Sequence, residues 1–386
     1  MNLTPRAPIK NDARLLRVLH VVPIVSQSGL WRHLEAADQL EGIASACIEV
    51  FDLGGKHNSG PLHMPLARLG ARVSSYKRIA RLTDRLLGVA EQFRPDVIHS
   101  YHVLSDAYAG RTARRLGVPL IRTVAGVAQT NWSGASTGSS VCLQWTTADV
   151  KQELAIEDVV HISLAVSDHV GRMICNAGIP AEKVRTSYLG TAWPVDPKPR
   201  VGIAGELTIG FPHRLEPVKL GPTLLPALRR IAEAGVRAKV VLVESGNRFG
   251  EFVHELEHVG ADVQAVPPSS GLWESLPSID CVVLDSLSEG LPLIPLEAMA
   301  RGIPVALADV GGSSEALTNG IDGLLFRSGD VEMLTDHLLK LARQPNWAEA
   351  IGQAARRTVA ARFSRDKHRA DLKSTYREAA GIPIHG

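Results

Sequence analysis

Apolar and polar positions change period along this chain in a regular way. From Leu15 onward, short runs rich in Val, Ile and Leu (17–24, 47–53, 96–100, 119–124 and 161–166) alternate with longer stretches of helical periodicity. Short apolar runs separated by helical segments are the mark of βα units around a parallel sheet buried on both faces, so the predicted class is α/β. The alternation restarts further on, with strands predicted at 207–211, 239–243, 262–266, 281–284 and 304–308. Between the two runs, residues 190–206 hold three prolines and three glycines and read as a hinge. The implied layout is a polar tail at 1–14, a doubly wound domain at 15–189, the hinge, a second doubly wound domain at 207–364, and a final helix at 365–386 that packs across the domain boundary.

Composition narrows the classes without naming a function. A chain of 386 residues is long enough for at least two sizeable cores, and 45% hydrophobic with 21% charged residues excludes wholesale disorder, collagen-like and coiled-coil architectures. Lys plus Arg at 42 against Asp plus Glu at 40 leaves a net charge of +2, which gives no reason to expect a nucleic-acid partner. Cys47, Cys142, Cys175 and Cys281 form no CxxC pair, so neither a zinc knuckle nor a disulfide framework is indicated, and a reducing cytoplasm fits. The N-terminal charges have no apolar stretch behind them of the kind a secretory signal needs, and no uncharged apolar run approaches the ~20 residues that span a bilayer. Any membrane contact is therefore expected to be peripheral, at the inner face.

Two doubly wound domains leave a crevice between the carboxyl ends of their sheets, where open α/β sheets bind ligands. The residues after Ile24 and after Leu284 both follow predicted strands, which directs both loops to that crevice. The second loop opens the stretch DSLSEGLPLIPLEAMARGIPVALADVGG, 285–312. It turns through Gly290 and enters a helix whose first turn is expected to hold Pro292. Free amides at such a helix start carry about half a positive charge, suited to a diphosphate or to sugar hydroxyls. Glu289 and Glu297 lie eight positions apart, so one carboxylate can meet a sugar at the loop while the other accepts hydrogen bonds from a diol such as a ribose. A plain strand-turn-helix unit with two solvated glutamates has the same spacing. Arg214 and Lys219 follow the strand at 207–211 and are five apart, so that both cations can reach one diphosphate; two surface cations beside a loop are the alternative.

The stretch SEGLPLIPLEAMARGIPVALADVGG, with EAL at Glu315 and GLLF at Gly323 behind it, resembles the E-x7-E signature of the retaining, GT-B-fold family 4 glycosyltransferases of the group 1 type. Weaker similarity extends to HRLEPVKLG, to AVSDHVGRMICNAGIPAEKV, and to RVLHVVP and PDVIHSYHVLSDAYAGRTARRLGVPLIRTV in the first half. The resemblance implies two Rossmann-like domains facing each other, the first toward the acceptor and the second binding a nucleotide sugar. It implies transfer of the sugar to a hydroxyl acceptor with retention at the anomeric carbon. Carried onto this sequence, Arg214 and Lys219 are the diphosphate cations, Glu289 holds the donor hexose, and Glu297 takes the ribose. Gly29, Gly290, Leu291, Pro292 and Leu293 line the rest of the donor site. No D-x-D triplet occurs, so metal independence is expected, with no cofactor beyond the nucleotide-sugar substrate.

Three positions depart from the family's pattern. His213 stands where the residue before the arginine is usually glycine, and of a Gly-Gly turn only Gly29 remains in SQSGLWRHL. The usual sugar-facing His-Gly pair is replaced by Ala125 and Gly126, with His99 and His102 as candidates to supply the imidazole. These departures keep two other functions open: a nucleotide-sugar-binding protein of the same fold that has lost transfer, and a nucleotide-sugar epimerase.

Other short matches are weaker. HELEH at 254–258 fits the H-E-x-x-H zinc motif, but its apolar neighbours already supply a buried face and no third ligand follows. GASTG at 134–138 fits a nucleophile elbow in a polar loop with no strong strand before it, and Asn131 opens a sequon that matters only in a secreted protein. The helix around Lys77, Arg78, Arg81 and Arg85 sets cations against Ile79, Leu82, Leu86, Val89 and Phe93; its apolar face is expected to pack on the first sheet, and contact with anionic lipid is the alternative.

Overall fold

The computed structural model describes residues 15–22, 37, 40–49, 63–65, 76–101, 103–125, 156–191, 205–212, 215, 217–244, 248–267 and 279–383. Two parallel sheets emerge. The first contains β1 (Leu16–Val22), β2 (Ile43–Glu49), β3 (His63–Pro65), β4 (Val97–Tyr101), β5 (Leu120–Val124), β6 (Val160–Ala165) and β7 (Val184–Thr186), in the spatial order β3-β2-β1-β4-β5-β6-β7. The second contains β8 (Glu206–Phe211), β9 (Arg237–Val243), β10 (Asp262–Val266), β11 (Cys281–Leu284), β12 (Val305–Ala308) and β13 (Leu324–Phe326), in the order β10-β9-β8-β11-β12-β13. Both are doubly wound α/β sheets, as the alternating pattern implies. In each, strand order reverses beside the first strand, between β1 and β4 and between β8 and β11, and ligands of such sheets bind at that reversal.

Helices cover both faces of each sheet, which is why the strands read as continuous apolar runs. In β1, Leu19 and Val21 pack with Leu82 and Leu86 of α1 (Tyr76–Phe93) and with Tyr108 and Ala109 of α2 (Val103–Leu116). Thus the apolar face of α1 faces the sheet; Arg85 is exposed, and the side chains of 76–81 lie outside the described residues. On the other face, Leu16 and Val18 pack with Leu372 and Tyr376 of the last helix, Arg365–Ala379, so the C-terminal segment returns to the first sheet. Fully burying one such side chain is worth about 1.5–3 kcal/mol.

The second sheet buries Val240, Leu242 and Val283 under α4 (Leu224–Glu233), α5 (Phe249–His258) and the helix Val331–Arg343, while α3 (Asp168–Asn176) belongs to the first half. Its opposite face buries Val241, Val282 and Leu307 against Leu296 and Met299 of α6 (Leu293–Ala300), and this cluster runs on into Val166, Val170 and Leu189 of the first half. One apolar core therefore crosses the boundary. The chain crosses it twice at one place: Thr191 N–H donates to Phe363 O at 2.9 Å and Arg365 N–H donates to Thr191 O at 3.2 Å. Gly190 fits there because a Cβ would lie 2.6 Å from Arg365 Cα. Most of the expected hinge, residues 192–204, lies outside the described residues.

The strands differ from expectation at their limits. β2 spans Ile43–Glu49 and starts earlier than the expected 47–53, while the expected strand residues 23–24 and 50–53 lie outside the described residues. The small residues of the segment Ile43 to Ala46 pack poorly as a strand signal, yet pairing with β1 from Leu16↔Ile43 to Val22↔Glu49 fixes them in the sheet. β3, β7 and β13 have three residues each, too few for any periodicity to show, and exist because a longer neighbour supplies the ladder.

Candidate functional site

The loops after β8 and β11 flank the strand reversal of the second sheet, and they carry Lys219 and Glu289. Lys219 ends a short 3-10 turn, Pro217–Lys219, and its Nζ donates to Glu289 Oε1 at 2.8 Å and to Ser288 O at 3.4 Å. Ser286 Oγ donates to the same Glu289 oxygen at 2.7 Å. The side chains of the pair are 30% and 10% exposed, so the attraction is offset by the cost of taking both charges out of water.

Beyond Glu289 the chain passes through Gly290 and Leu291 into α6. Pro292 occupies the N-cap, at φ −78 and ψ 106, so it stands just outside the first turn expected for it. The reason is local: its backbone is extended, whereas first-turn residues are already helical. Pro292 has no side-chain acceptor with which to cap this helix. Glu297 lies in the interior of α6 and is 4% exposed; its main-chain oxygen accepts from Arg301 Nη1 at 2.9 Å.

Two close backbone approaches fix the loop. Gly312 N–H donates to Glu289 O at 3.0 Å, and a Cβ at Gly312 would stand 1.9 Å from Gly290 O. Gly311 has a φ of +59, and a Cβ there would stand 1.9 Å from Glu289 O, so both conformation and space require glycine. Toward the first half, a Cβ at Gly290 would lie 2.0 Å from Ala125 O and 3.4 Å from Val166 Cγ2. The loop thus reaches across the gap between the sheets and closes against the first half.

A second link lies nearby. The Glu315 carboxylate accepts the amides of Asp168 and His169, both at 2.7 Å, at the start of α3, and the Tyr188 hydroxyl at 3.1 Å. Burial and the neighbouring Glu315 push the Tyr188 phenol up to about 12. Below these loops, Asp285 is fully buried and its Oδ2 accepts the amides of Thr223 at 2.7 Å and Leu224 at 2.8 Å.

Residues 198–358 match the family described as Glycosyl transferases group 1, and residues 54–191 match Glycosyltransferase Family 4. The D-inositol 3-phosphate glycosyltransferase of Frankia alni is 30% identical over 67% of this chain and 70% of its own length. The chain belongs to the group 1, family 4 glycosyltransferases. The corresponding protein of Saccharomonospora viridis is 26% identical over 74% of this chain and 70% of its own. In fold, this glycosyltransferase is similar to Anabaena HepE in complex with UDP and glucose, at a TM-score of 0.75 and 15% identity over 93% of this chain and 99% of that one. It is also similar to a sucrose-phosphate synthase from Thermosynechococcus elongatus, at a TM-score of 0.72 and 17% identity over 94% and 98%. The architecture is that of GT-B enzymes.

The sequence-derived donor-site residues of this glycosyltransferase divide clearly. The structure brings Lys219 together with Glu289, and places Gly290, Leu291, Pro292, Leu293 and Glu297 on the same loop and helix. Arg214, His213, Gly29, His102 and Gly126 lie outside the described residues. His99 is corrected: it is fully buried, with Nδ1 2.7 Å from the Tyr376 hydroxyl and Nε2 2.8 Å from Thr123 Oγ1, and its ring stacks on Tyr101 at 4.0 Å. Nδ1 holds the last helix to the first sheet and Nε2 is taken up by the neighbouring strand β5, so this imidazole is not available to a sugar. Asp285, Ser286 and Glu315 were not among the expected site residues. Asp285 had a signal, a carboxylate directly after a strand end; Glu315 had only its place in the EAL of the family resemblance, because its partners are remote in sequence.

Among the described residues, no group of three or more His, Cys, Asp or Glu side chains is arranged to hold a metal ion, and His254 and His258 are both exposed. No described helix is long and apolar enough to cross a membrane. The GASTG segment and the sequon lie outside the described residues.

Proposed function

We propose that this glycosyltransferase moves a sugar from a nucleoside-diphosphate sugar to a hydroxyl acceptor, with retention at the anomeric carbon and without a metal. The observation that carries the reading is the Lys219 ammonium seated against Glu289 at the strand reversal, beside the start of α6, whose N-cap Pro292 offers no side-chain acceptor. The UDP in the HepE complex, and a relative named for glycosyl transfer to D-inositol 3-phosphate, support a nucleotide donor and a hydroxyl acceptor.

In this scheme the bond between the anomeric carbon and the diphosphate oxygen breaks, and its electron pair stays on the β-phosphate. Arg214, Lys219 and the amide end of α6 stabilise that growing negative charge. Removing one such preorganised donor from a dry site commonly costs about 3–4 kcal/mol in the barrier. The acceptor oxygen attacks the same face of the oxocarbenium-like carbon, and its proton passes to the departing phosphate oxygen. Glu289 orients the hexose hydroxyls, and Glu297 takes the ribose diol. The acceptor is a small molecule, a polysaccharide or a lipid-linked sugar; in the last case the cationic face of α1 is the surface expected against the membrane.

The test is release of nucleoside diphosphate from a panel of UDP-, GDP- and other nucleotide sugars, with and without EDTA. Turnover unaffected by the chelator supports the reading. Tight binding without turnover would point instead to a nucleotide-sugar-binding protein, and an isomerised donor without acceptor to an epimerase.

A further inference from the structure

Lys219 and Glu289 belong to different loops, and their separation depends on what ties those loops together. Five residues after Lys219 the chain enters α4 at Leu224; four residues before Glu289 stands Asp285. Asp285 holds the first loop from two sides. Its main-chain oxygen accepts Gly221 N–H at 2.5 Å, and its Oδ2 accepts Thr223 and Leu224 N–H. The Thr223 hydroxyl oxygen accepts Gly329 N–H at 2.9 Å, extending the strut to the loop after β13. One further tie, Leu287 N–H to Val218 O at 2.9 Å, sets the backbone of the two loops side by side.

The space around Asp285 is filled. An ideal Cβ on Gly221 would lie 2.2 Å from Asp285 Oδ1 and 2.7 Å from its main-chain oxygen, so the loop has no room to slide toward β11. Desolvating a carboxylate is unfavourable, and an apolar residue at a strand end avoids it. What the carboxylate supplies is direction: two amides of one turn are fixed to a single oxygen.

We propose that Asp285 is a positioning residue for glycosyl transfer, holding the Lys219 turn in register with Glu289 so that the ammonium meets the departing diphosphate. The inference rests on the donor-site reading above and goes beyond it by assigning a role to a side chain that touches no substrate. It also separates two explanations of the same hydrogen bonds. A carboxylate that only caps α4 affects stability alone; one that positions Lys219 affects turnover, and only while Lys219 is present.

The experiment is a double-mutant cycle in the full-length chain, read as nucleoside diphosphate release and as thermal unfolding. Asp285→Ala is expected to lower kcat about 100-fold in the otherwise unchanged protein, the order of loss for a group displaced by about 1 Å. On the Lys219→Ala background the same change is expected to have almost no further effect, because the group it positions is gone. Asp285→Asn, which still presents an oxygen to both amides, is expected to recover most of the activity. Should Asp285→Ala fail to fold, Thr223→Val takes its place in the cycle, with a smaller loss and the same dependence on Lys219. Equal losses in both backgrounds, or no loss in either, would overturn the positioning role while leaving the donor-site reading intact. A parent protein that releases no nucleoside diphosphate from any donor would overturn that reading, and this inference with it.

Discussion

Gly290 and Ala125 meet across the gap between the two halves, with the Ala125 carbonyl oxygen 2.0 Å from where a Gly290 Cβ would be. The turn that leads into α6 is therefore shaped by the first half as well as by its own sequence. A main-chain carbonyl of the first half thus stands against this loop. Gly290→Ala cannot be accommodated without opening the gap by more than about 1 Å, since unbonded carbon and oxygen atoms do not approach so closely. The expected result is a loss of about 100-fold in kcat/KM with donor, with far-ultraviolet circular dichroism unchanged. Unaltered kinetics would show that the two halves do not close in this way during turnover.

Glu315 joins the halves by a different device. Its carboxylate satisfies two of the free amides at the start of α3, and a negative charge at a helix start is favourable. Glu315→Ala is expected to cost about 0.5–2 kcal/mol of stability, the usual range for a lost helix cap. Because the cap comes from the other half, the same change is expected to raise the radius of gyration measured by small-angle X-ray scattering. A variant that unfolds earlier yet keeps an unchanged radius would mean that Glu315 acts only on α3.

Buried titratable groups predict how stability changes with acidity. Burial lowers the imidazole of His20 from 6.5 to about 3 and that of His368 from 6.5 to about 4. As pH falls below about 6.5 the unfolded chain takes up protons on both while the folded chain does not, so stability is lost between about 6.5 and about 4. Asp106 acts in the opposite sense: burial raises it from 3.8 to about 6, so the folded chain binds its proton first and gains stability over that interval. Burial raises Asp285 and Asp371 as well, and they act with Asp106, so the histidine contribution is read by difference. Acidification from about pH 7 to about pH 5 is expected to lower the thermal midpoint less, or raise it more, in His368→Gln than in the parent. An acid response identical in the two proteins would contradict this account.

Much of this was legible from the sequence for a physical reason: strands covered on both faces must be apolar throughout, and β11 carries the expected limits because Cys281, Val282, Val283 and Leu284 are all apolar and all buried. The nearness of Lys219 to Glu289 agrees with placing both after strands of one sheet, since a doubly wound order brings those strand ends together; the ion pair between them was not expected. Contacts made between halves were not legible. Nothing around His99 shows that Tyr376, distant in sequence, occupies its Nδ1, and nothing around Gly290 shows that Ala125 lies against it. Each depends on how two domains meet, which local pattern does not encode. Asp285 was passed over because a carboxylate after a strand reads as a loop residue until its two amide partners are seen.

The central claim is that positive groups at the gap between the sheets take up the charge of a departing diphosphate. The measurement closest to it compares nucleoside diphosphate release, and the anomeric configuration of the product by proton NMR, for the parent protein, Lys219→Ala and Arg214→Ala. The account predicts a product with the donor's own anomeric configuration, and a loss of about 100- to 1000-fold in kcat for each variant with the fold preserved. Near-parental turnover in both variants, or a product of inverted configuration, would contradict it.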